Sequence, residues 1–306
     1  VKISVISPVY QAEPIISILV ERIQVALRKI TDNFEIILIE DYSKDNSWGR
    51  IVENCKKFEN VKGIKLSRNY GQQHAIQAGL DASSGEYVIT MDCDLQDQPE
   101  EIYKLYEKTK QGYEIVVASR QNRSDSCIKK FLSKKFYVVL GYMTGTKQDD
   151  TVANFVCYHR SVVEAMSKFK DHRRYYPMIQ QIVGFRYTKV AVNHASRESG
   201  NSSYSIKKRL DLALDTILTF SDKPLRLIIK LGVVLSFLSI SSAIILVIVY
   251  FTGNFNTPGW ASLSLLMSFF SGSIISVLGM IGLYVGKIFE SVKNRPTYII
   301  HKKENF

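Results

Sequence analysis

Residues 87–98 read Tyr-Val-Ile-Thr-Met-Asp-Cys-Asp-Leu-Gln-Asp-Gln, running from Tyr87 to Gln98. The first five are apolar or β-branched and predict a short buried strand. The run then breaks into Asp92, Cys93 and Asp94, with Gln96 and Asp97 following before Pro99. Carboxylates at the C-terminal end of a buried strand lie where open α/β sheets bind ligands. Two Asp one residue apart on an extended chain point to opposite sides, so both serve one ligand only if the strand is already turning. A hard divalent cation, held by one or two carboxylates plus substrate phosphates, suits that pattern. Taken alone, the pattern reads first as a polar exit from a strand.

The flanking sequence repeats the alternation. Residues 3–9, 34–39, 61–66 and 115–118 are further apolar, β-branched runs, separated by stretches of helical periodicity over residues 14–30, from Asp45 to about residue 58, to about residue 82, and after Pro99. Strands alternating with helices predict a mostly parallel sheet with helices on both faces and ligands at the strand C-termini. Asp41, Asp92, Asp94 and Arg120 all fall at such ends.

The chain has 306 residues and a net charge of +11. Its basic residues bunch around 120–135, 168–174 and 197–209. Two apolar stretches, 227–251 and 263–285, are each long enough for a hydrocarbon core, which takes roughly 20 residues. With spans adjacent, the basic groups favour an anionic lipid surface over nucleic acid. Residues 252–262 carry no Lys or Arg, whereas the flanks do, which predicts both flanks in the cytoplasm and the hairpin tip outside. Residues 131–143 and 205–220 have apolar faces beside lysines and are expected as amphipathic interface helices. The expected organisation is a catalytic domain over 1–204, a juxtamembrane helix over 205–226, two spans within 227–285 and a cytoplasmic tail over 286–306. Four cysteines without C-x-x-C spacing read as free thiols of a reducing compartment, and the sequence opens on a strand rather than on a secretory signal. His74, His159, His172 and His194 share no metal spacing.

Six motifs in order carry a resemblance: Ser7-Pro8-Val9-Tyr10, Glu40-Asp41-Tyr42-Ser43-Lys44-Asp45, Arg68-Asn69-Tyr70-Gly71 with Ala78-Gly79-Leu80, Met91 to Asp97, Arg197 to Tyr204, and Pro224-Leu225-Arg226 before the first span. Together they resemble family 2 (GT-A) polyprenyl-phosphate glycosyltransferases, such as dolichyl-phosphate mannose synthases and bacterial undecaprenyl-phosphate glucosyltransferases. The resemblance covers essentially the whole chain. It implies a Rossmann-like GT-A domain and inverting transfer of a sugar from a nucleotide diphosphate sugar, UDP by family, to polyprenyl phosphate at the inner membrane surface.

The resemblance also implies roles for residues. Asp94, Gln96 and Asp92 would hold Mg²⁺ or Mn²⁺. Pro8, Tyr10, Glu13, Asp41, Arg68, Gln72 and Asp92 would form the nucleotide side. Asp94, Asp92, Arg120 and Arg197 would act on the reacting groups, and Arg120, Arg197, Ser202, Tyr204 and Asn154 would meet the acceptor phosphate and lipid. A downstream flippase and glycosyltransferase are partners by family, and the thin two-span anchor is compatible with a homo-oligomer. The chain departs from the pattern at Gln11-Ala12, Glu40, Ser203 and Asn154, the last standing where many relatives have Asp. A phosphate monoester has a second pKa of about 6, so an ionised lipid phosphate needs no general base at 154. Two alternatives remain: a diacylglycerol or glycolipid hydroxyl as acceptor, with Asp92 or Asp97 as base, and a non-catalytic scaffold that binds lipid carriers.

Overall fold

The structure, a computed structural model, describes residues 1–120, 141–143, 152–169, 175–193, 217, 221, 223–252, 259–293 and 295–306. The chain divides into two compact units, one drawn from Val1–Val138, Thr146–Ser203 and Asn294–Phe306, the other from Val139–Gly145 and Tyr204–Lys293.

The first unit is built on strands β1 (Ile3–Val9), β2 (Phe34–Glu40), β3 (Val61–Leu66), β4 (Tyr87–Thr90), β5 (Ile115–Arg120), β6 (Val152–His159), β7 (Tyr187–Val192) and β8 (Ile300–Glu304). They form one sheet in the order β7-β5-β6-β4-β1-β2-β3-β8. Pairs β1–β2, β1–β4, β2–β3 and β5–β7 are parallel, whereas β6 and β8 run against their neighbours. Because β6 is reversed, β4 and β5 point the same way, and β6 begins at the edge where β4 and β5 end.

Helices α1 (Ile16–Arg28), α2 (Ser47–Lys57) and α4 (Ile102–Thr109) pack on one face. Helices α3 (Gln72–Ala82), α5 (Arg160–Ser167) and α6 (Tyr176–Ile182) supply the other. The central strands feed both layers: Ile36 and Leu38 of β2 enter the first core, Ile37 and Ile39 the second. That double burial is why these strands read as continuous apolar runs rather than alternating ones. Gly79 lets α3 lie close on the sheet, since a Cβ there would stand 2.3 Å from Ile6 and 2.7 Å from Ile39.

At the sheet edge remote from the strand C-termini, Glu35 is buried and accepts hydrogen bonds from Ser4, Ser84 and Lys62. Burial raises its pKa, but these partners outweigh that cost and bring the carboxyl down to about 2.

The sequence reading of residues 286–306 as a tail changes here. Residues 300–304 are a strand that pairs antiparallel with β3. Short, lysine-rich and exposed on its outer side, it has the composition of a protected sheet edge and lacks the apolar run that marks a central strand.

The second unit contains helices α7 (Lys223–Phe251) and α8 (Trp260–Val292). Both are long and apolar enough to cross a membrane. Their large side chains, among them Phe237, Ile245, Leu263 and Ile275, are exposed rather than packed in a core. The expected interface helices over 131–143 and 205–220 lie almost wholly outside the described residues.

Candidate active site

The loops that leave β1, β2, β3 and β4 share one edge of the sheet, and each contains a residue in the left-handed backbone region. These are Gln11 (φ 51°), Tyr42 (φ 60°), Gly71 (φ 88°) and Leu95 (φ 59°). Three of the four are not glycine, so local strain gathers where ligands of α/β sheets bind.

The first two loops are laced together. Gln11 N–H donates to Ser43 Oγ, Ala12 N–H to Ser47 Oγ, and Glu13 N–H to Asp45 Oδ2 at 3.2 Å. In return Asn46 N–H donates to Glu13 Oε2 at 3.1 Å. Glu13, read from sequence as a nucleotide contact, is thus one half of a reciprocal clasp with the Asp45-Asn46 pair. Asp45 also takes the Ser47 amide and hydroxyl at the start of α2. Burial raises the Asp45 pKa, but the bonds from Ser47 and Glu13 carry it below the usual carboxylate value.

Asp41 is 3% exposed, and its two oxygens accept the backbone amides of Tyr70 (2.7 Å) and Gly71 (2.8 Å). It therefore fixes the loop after β3. Burial pushes its pKa up against those two amides, and Glu40 beside it adds to the rise. That loop presents Arg68, exposed, with its guanidinium 4.6 Å from the centre of the Tyr70 ring.

Pro8 lies on β1 beyond Ile6–Thr90, the last β1–β4 pair in the register, where a missing amide hydrogen costs little. Tyr10 follows it and is 46% exposed.

Met91 N–H donates to Ile6 and ends β4, which puts Asp92 at the exit. Gln72, the first residue of α3, donates to Asp92 Oδ1 at 2.7 Å. Asn154 Nδ2 stands 3.4 and 3.5 Å from the two Asp92 oxygens. The Thr90 hydroxyl donates to the Asn154 carbonyl at 2.9 Å, which holds β6 in place there. Asp94 Oδ1 accepts the Gln96 amide across a turn whose middle residue is the left-handed Leu95. Cys93, between the two carboxylates, is no nucleophile at neutral pH: burial, then the charges of Asp92 and Asp94, push its thiol up to about 12.

Among the described residues no three His, Cys, Asp or Glu converge on a metal position. The donors at the exit of β4 are the oxygens of Asp92, Asp94 and Gln96, all partly exposed. An all-oxygen set of this size fits Mg²⁺ or Mn²⁺ that takes its remaining ligands from a diphosphate, and does not fit zinc.

Of the acceptor-side residues, Asn154 lies beside Asp92, and Arg120 ends β5 at the same edge. Arg197, Ser202 and Tyr204 lie outside the described residues. Tyr176 and Pro177 line a small crevice with Thr90 and Asn154, although the Tyr176 hydroxyl is spent on Gln77 at 2.7 Å. His159 caps α5 through Ser161. Sequence reasoning missed the lacing by Ser43 and Ser47, which short polar side chains in a loop do not advertise.

Residues 4–175 match the family model described as glycosyl transferase family 2. The chain belongs to glycosyltransferase family 2. It is therefore a sugar-transferring enzyme, and the scaffold alternative falls. An undecaprenyl-phosphate 4-deoxy-4-formamido-L-arabinose transferase of Yersinia enterocolitica is 34% identical over 307 residues, covering 98% of this chain and 93% of that protein. An uncharacterized glycosyltransferase of Bacillus subtilis is 35% identical over 304 residues, covering 99% of this chain and 94% of that one. Among solved structures, glucosyl-3-phosphoglycerate synthase of Mycobacterium tuberculosis, crystallised with Mn²⁺, UDP and phosphoglyceric acid, superposes with a TM-score of 0.51. It is 13% identical over 71% of this chain and 76% of that one, which shows a shared GT-A fold.

Proposed function

We propose that the enzyme transfers a sugar, with inversion, from a nucleotide diphosphate sugar to polyprenyl phosphate at the cytoplasmic face of a membrane. The donor is a UDP-hexose or UDP-N-acetylhexosamine and the acceptor undecaprenyl phosphate. The product is a lipid-linked sugar for cell-envelope glycans. The observation that carries this reading is the pair Asp92 and Asn154. A base at position 154 would serve a hydroxyl acceptor, and this chain has an amide there whose nitrogen lies against the Asp92 carboxylate. A phosphate acceptor, with its second pKa of about 6, arrives already ionised.

In this mechanism Tyr10 and Pro8 flank the nucleoside, while Glu13 and Asp41 hold the loops that shape its bed. Arg68 faces the diphosphate, and Gln72 orients Asp92. Asp94, Asp92 and Gln96 would hold Mg²⁺ or Mn²⁺, which would supply the positive charge that offsets the charge developing on the leaving diphosphate. Arg120 and Arg197 grip the acceptor phosphate in the bidentate manner a guanidinium permits, with Ser202, Tyr204 and Asn154 around it. The acceptor oxygen attacks the anomeric carbon directly as the diphosphate leaves, so the configuration inverts.

The lipid acceptor is supported by the relative's own acceptor and by the two apolar helices. With each helix crossing once, the chain returns to the side it left, in keeping with β8 completing the catalytic sheet.

The test is label transfer by purified protein from a panel of UDP-sugars, with nucleotide-linked 4-deoxy-4-formamido-L-arabinose added, to undecaprenyl phosphate. It is run with and without Mg²⁺ or Mn²⁺. A metal-dependent, acid-labile lipid product of inverted configuration is expected. Transfer to diacylglycerol instead, or a retained configuration, would overturn the reading.

A further inference from the structure

The segment that follows the second apolar helix does more than cover a sheet edge. Edge protection needs only backbone pairing and a few charges, which β8 already supplies. Beyond its last pair with β3, however, the Ile299 carbonyl accepts the Ser67 amide at 2.9 Å. Ser67 opens the loop that carries Arg68, and its hydroxyl lies 3.1 Å from that of Tyr70. One residue earlier, the Tyr298 hydroxyl donates to Asp81 Oδ2 at 2.8 Å, near the end of α3. At the far end, Asn305 Nδ2 reaches the carbonyls of Cys55 (2.6 Å) and Val61 (2.9 Å) and locks the strand in register.

The two inner contacts bracket one continuous piece of chain. Ser67 is its beginning and Asp81 nearly its end, with Arg68 and Gln72 between them. Asp41 holds the middle of the same piece through Tyr70 and Gly71. A loop fixed in the middle alone can still pivot, whereas one fixed also at its root and through the end of its helix cannot.

We propose that residues 298–305 are a positioning element of the donor site, setting Arg68 and Gln72 for a nucleoside diphosphate. The placement of those two residues on the donor side rests on the function proposed above. The segment touches no substrate itself. Its effect falls on donor affinity and leaves the chemical step alone.

The experiment uses the full-length protein carrying Tyr298→Phe and Asn305→Ala together, with Glu35→Gln, at the opposite edge of the sheet, as a destabilised control. The single variants serve should the double one fail to fold. Amide hydrogen exchange over residues 67–71 is the first readout, and needs no ligand. Protection there is expected to drop in the tail variant and to hold in the control. UDP binding in the presence of Mn²⁺ is the second, with a loss of about five- to tenfold expected, the worth of about one hydrogen bond. The donor KM should rise by the same factor while kcat stays within about twofold. Unchanged exchange over 67–71 would overturn the proposal, as would equal losses of UDP affinity in the tail variant and the control. If the wild-type protein binds no UDP while exchange in the loop still responds to the tail, the donor reading fails and the positioning of the loop stands.

Discussion

Replacing Asp41 by Asn separates two roles that a carboxylate at a strand end can play. If Asp41 contacted the nucleotide alone, the change would weaken binding and leave the protein's stability intact. In the structure both its oxygens are taken by backbone amides at 2.7 and 2.8 Å. Asn keeps one acceptor and turns the other into an NH₂ group facing an N–H donor, so one bond is lost and a donor–donor contact replaces it. A hydrogen bond to a charged group is worth about 1.5–3 kcal/mol net, and a neutral one about 1. Against that loss stands relief from burying a charge, the term that already pushes the Asp41 pKa up. The balance is about 2 kcal/mol of destabilisation, or a melting point lower by about 3 °C for a chain of 306 residues. Thermal melting in detergent reads the first number. Amide exchange at Tyr70 and Gly71 locates the change, and UDP titration shows how far a looser loop weakens binding. A variant that melts like the wild type, keeps those two amides protected and yet loses UDP would refute the loop-holding role and make Asp41 a direct ligand contact.

Other outcomes follow from the same structure. The Glu35 carboxyl lies at about 2 when folded against an ordinary 4.5, so its contribution is complete above about pH 4.5 and is lost as the pH falls toward 2. It amounts to about 3 kcal/mol, and acid titration of stability should lose that component in Glu35→Gln. Gly79→Ala improves helix propensity yet puts a methyl 2.3 Å from Ile6; a net loss of about 1–3 kcal/mol is expected in unfolding experiments. Asp94→Asn should weaken Mn²⁺ binding, measured by the paramagnetic signal of free Mn²⁺ in the presence of UDP, and lower transfer by about 100-fold or more. Chelation of the wild-type protein should abolish transfer reversibly.

The parallel half of the sheet was legible in the sequence because β1 and β2 are buried along their whole length and β3 and β4 along most of theirs, so Ile, Leu and Val recur in short apolar runs despite Lys62 and Lys65 in β3. Strand β6 was not, since Asn154, Cys157, Tyr158 and His159 mix polar and apolar residues where the chain reverses direction. Strand β7 alternates exposed and half-buried residues over only six positions, and β8 hides behind two lysines. At the site, the positions of Asp92, Asp94 and Arg120 at strand ends could be read from where apolar runs stop. The work of Asp41 and Glu13 could not, because their partners include backbone amides, and a backbone amide has no signature in a sequence. The pairing of Asn154 with Asp92 needed the reversed strand that brings residues 62 positions apart together.

The order of strands along the chain also constrains how the molecule is made. Among the described residues, seven strands precede the apolar helices in sequence and an eighth follows them. A ribosome therefore delivers both long apolar helices before the sheet can receive its last member. Until then the β3 edge stays open and the loop bearing Arg68 lacks its outer anchor. Maturation of the catalytic unit thus waits on synthesis of the hairpin, and a nascent chain stalled before residue 300 would hold an unfinished fold.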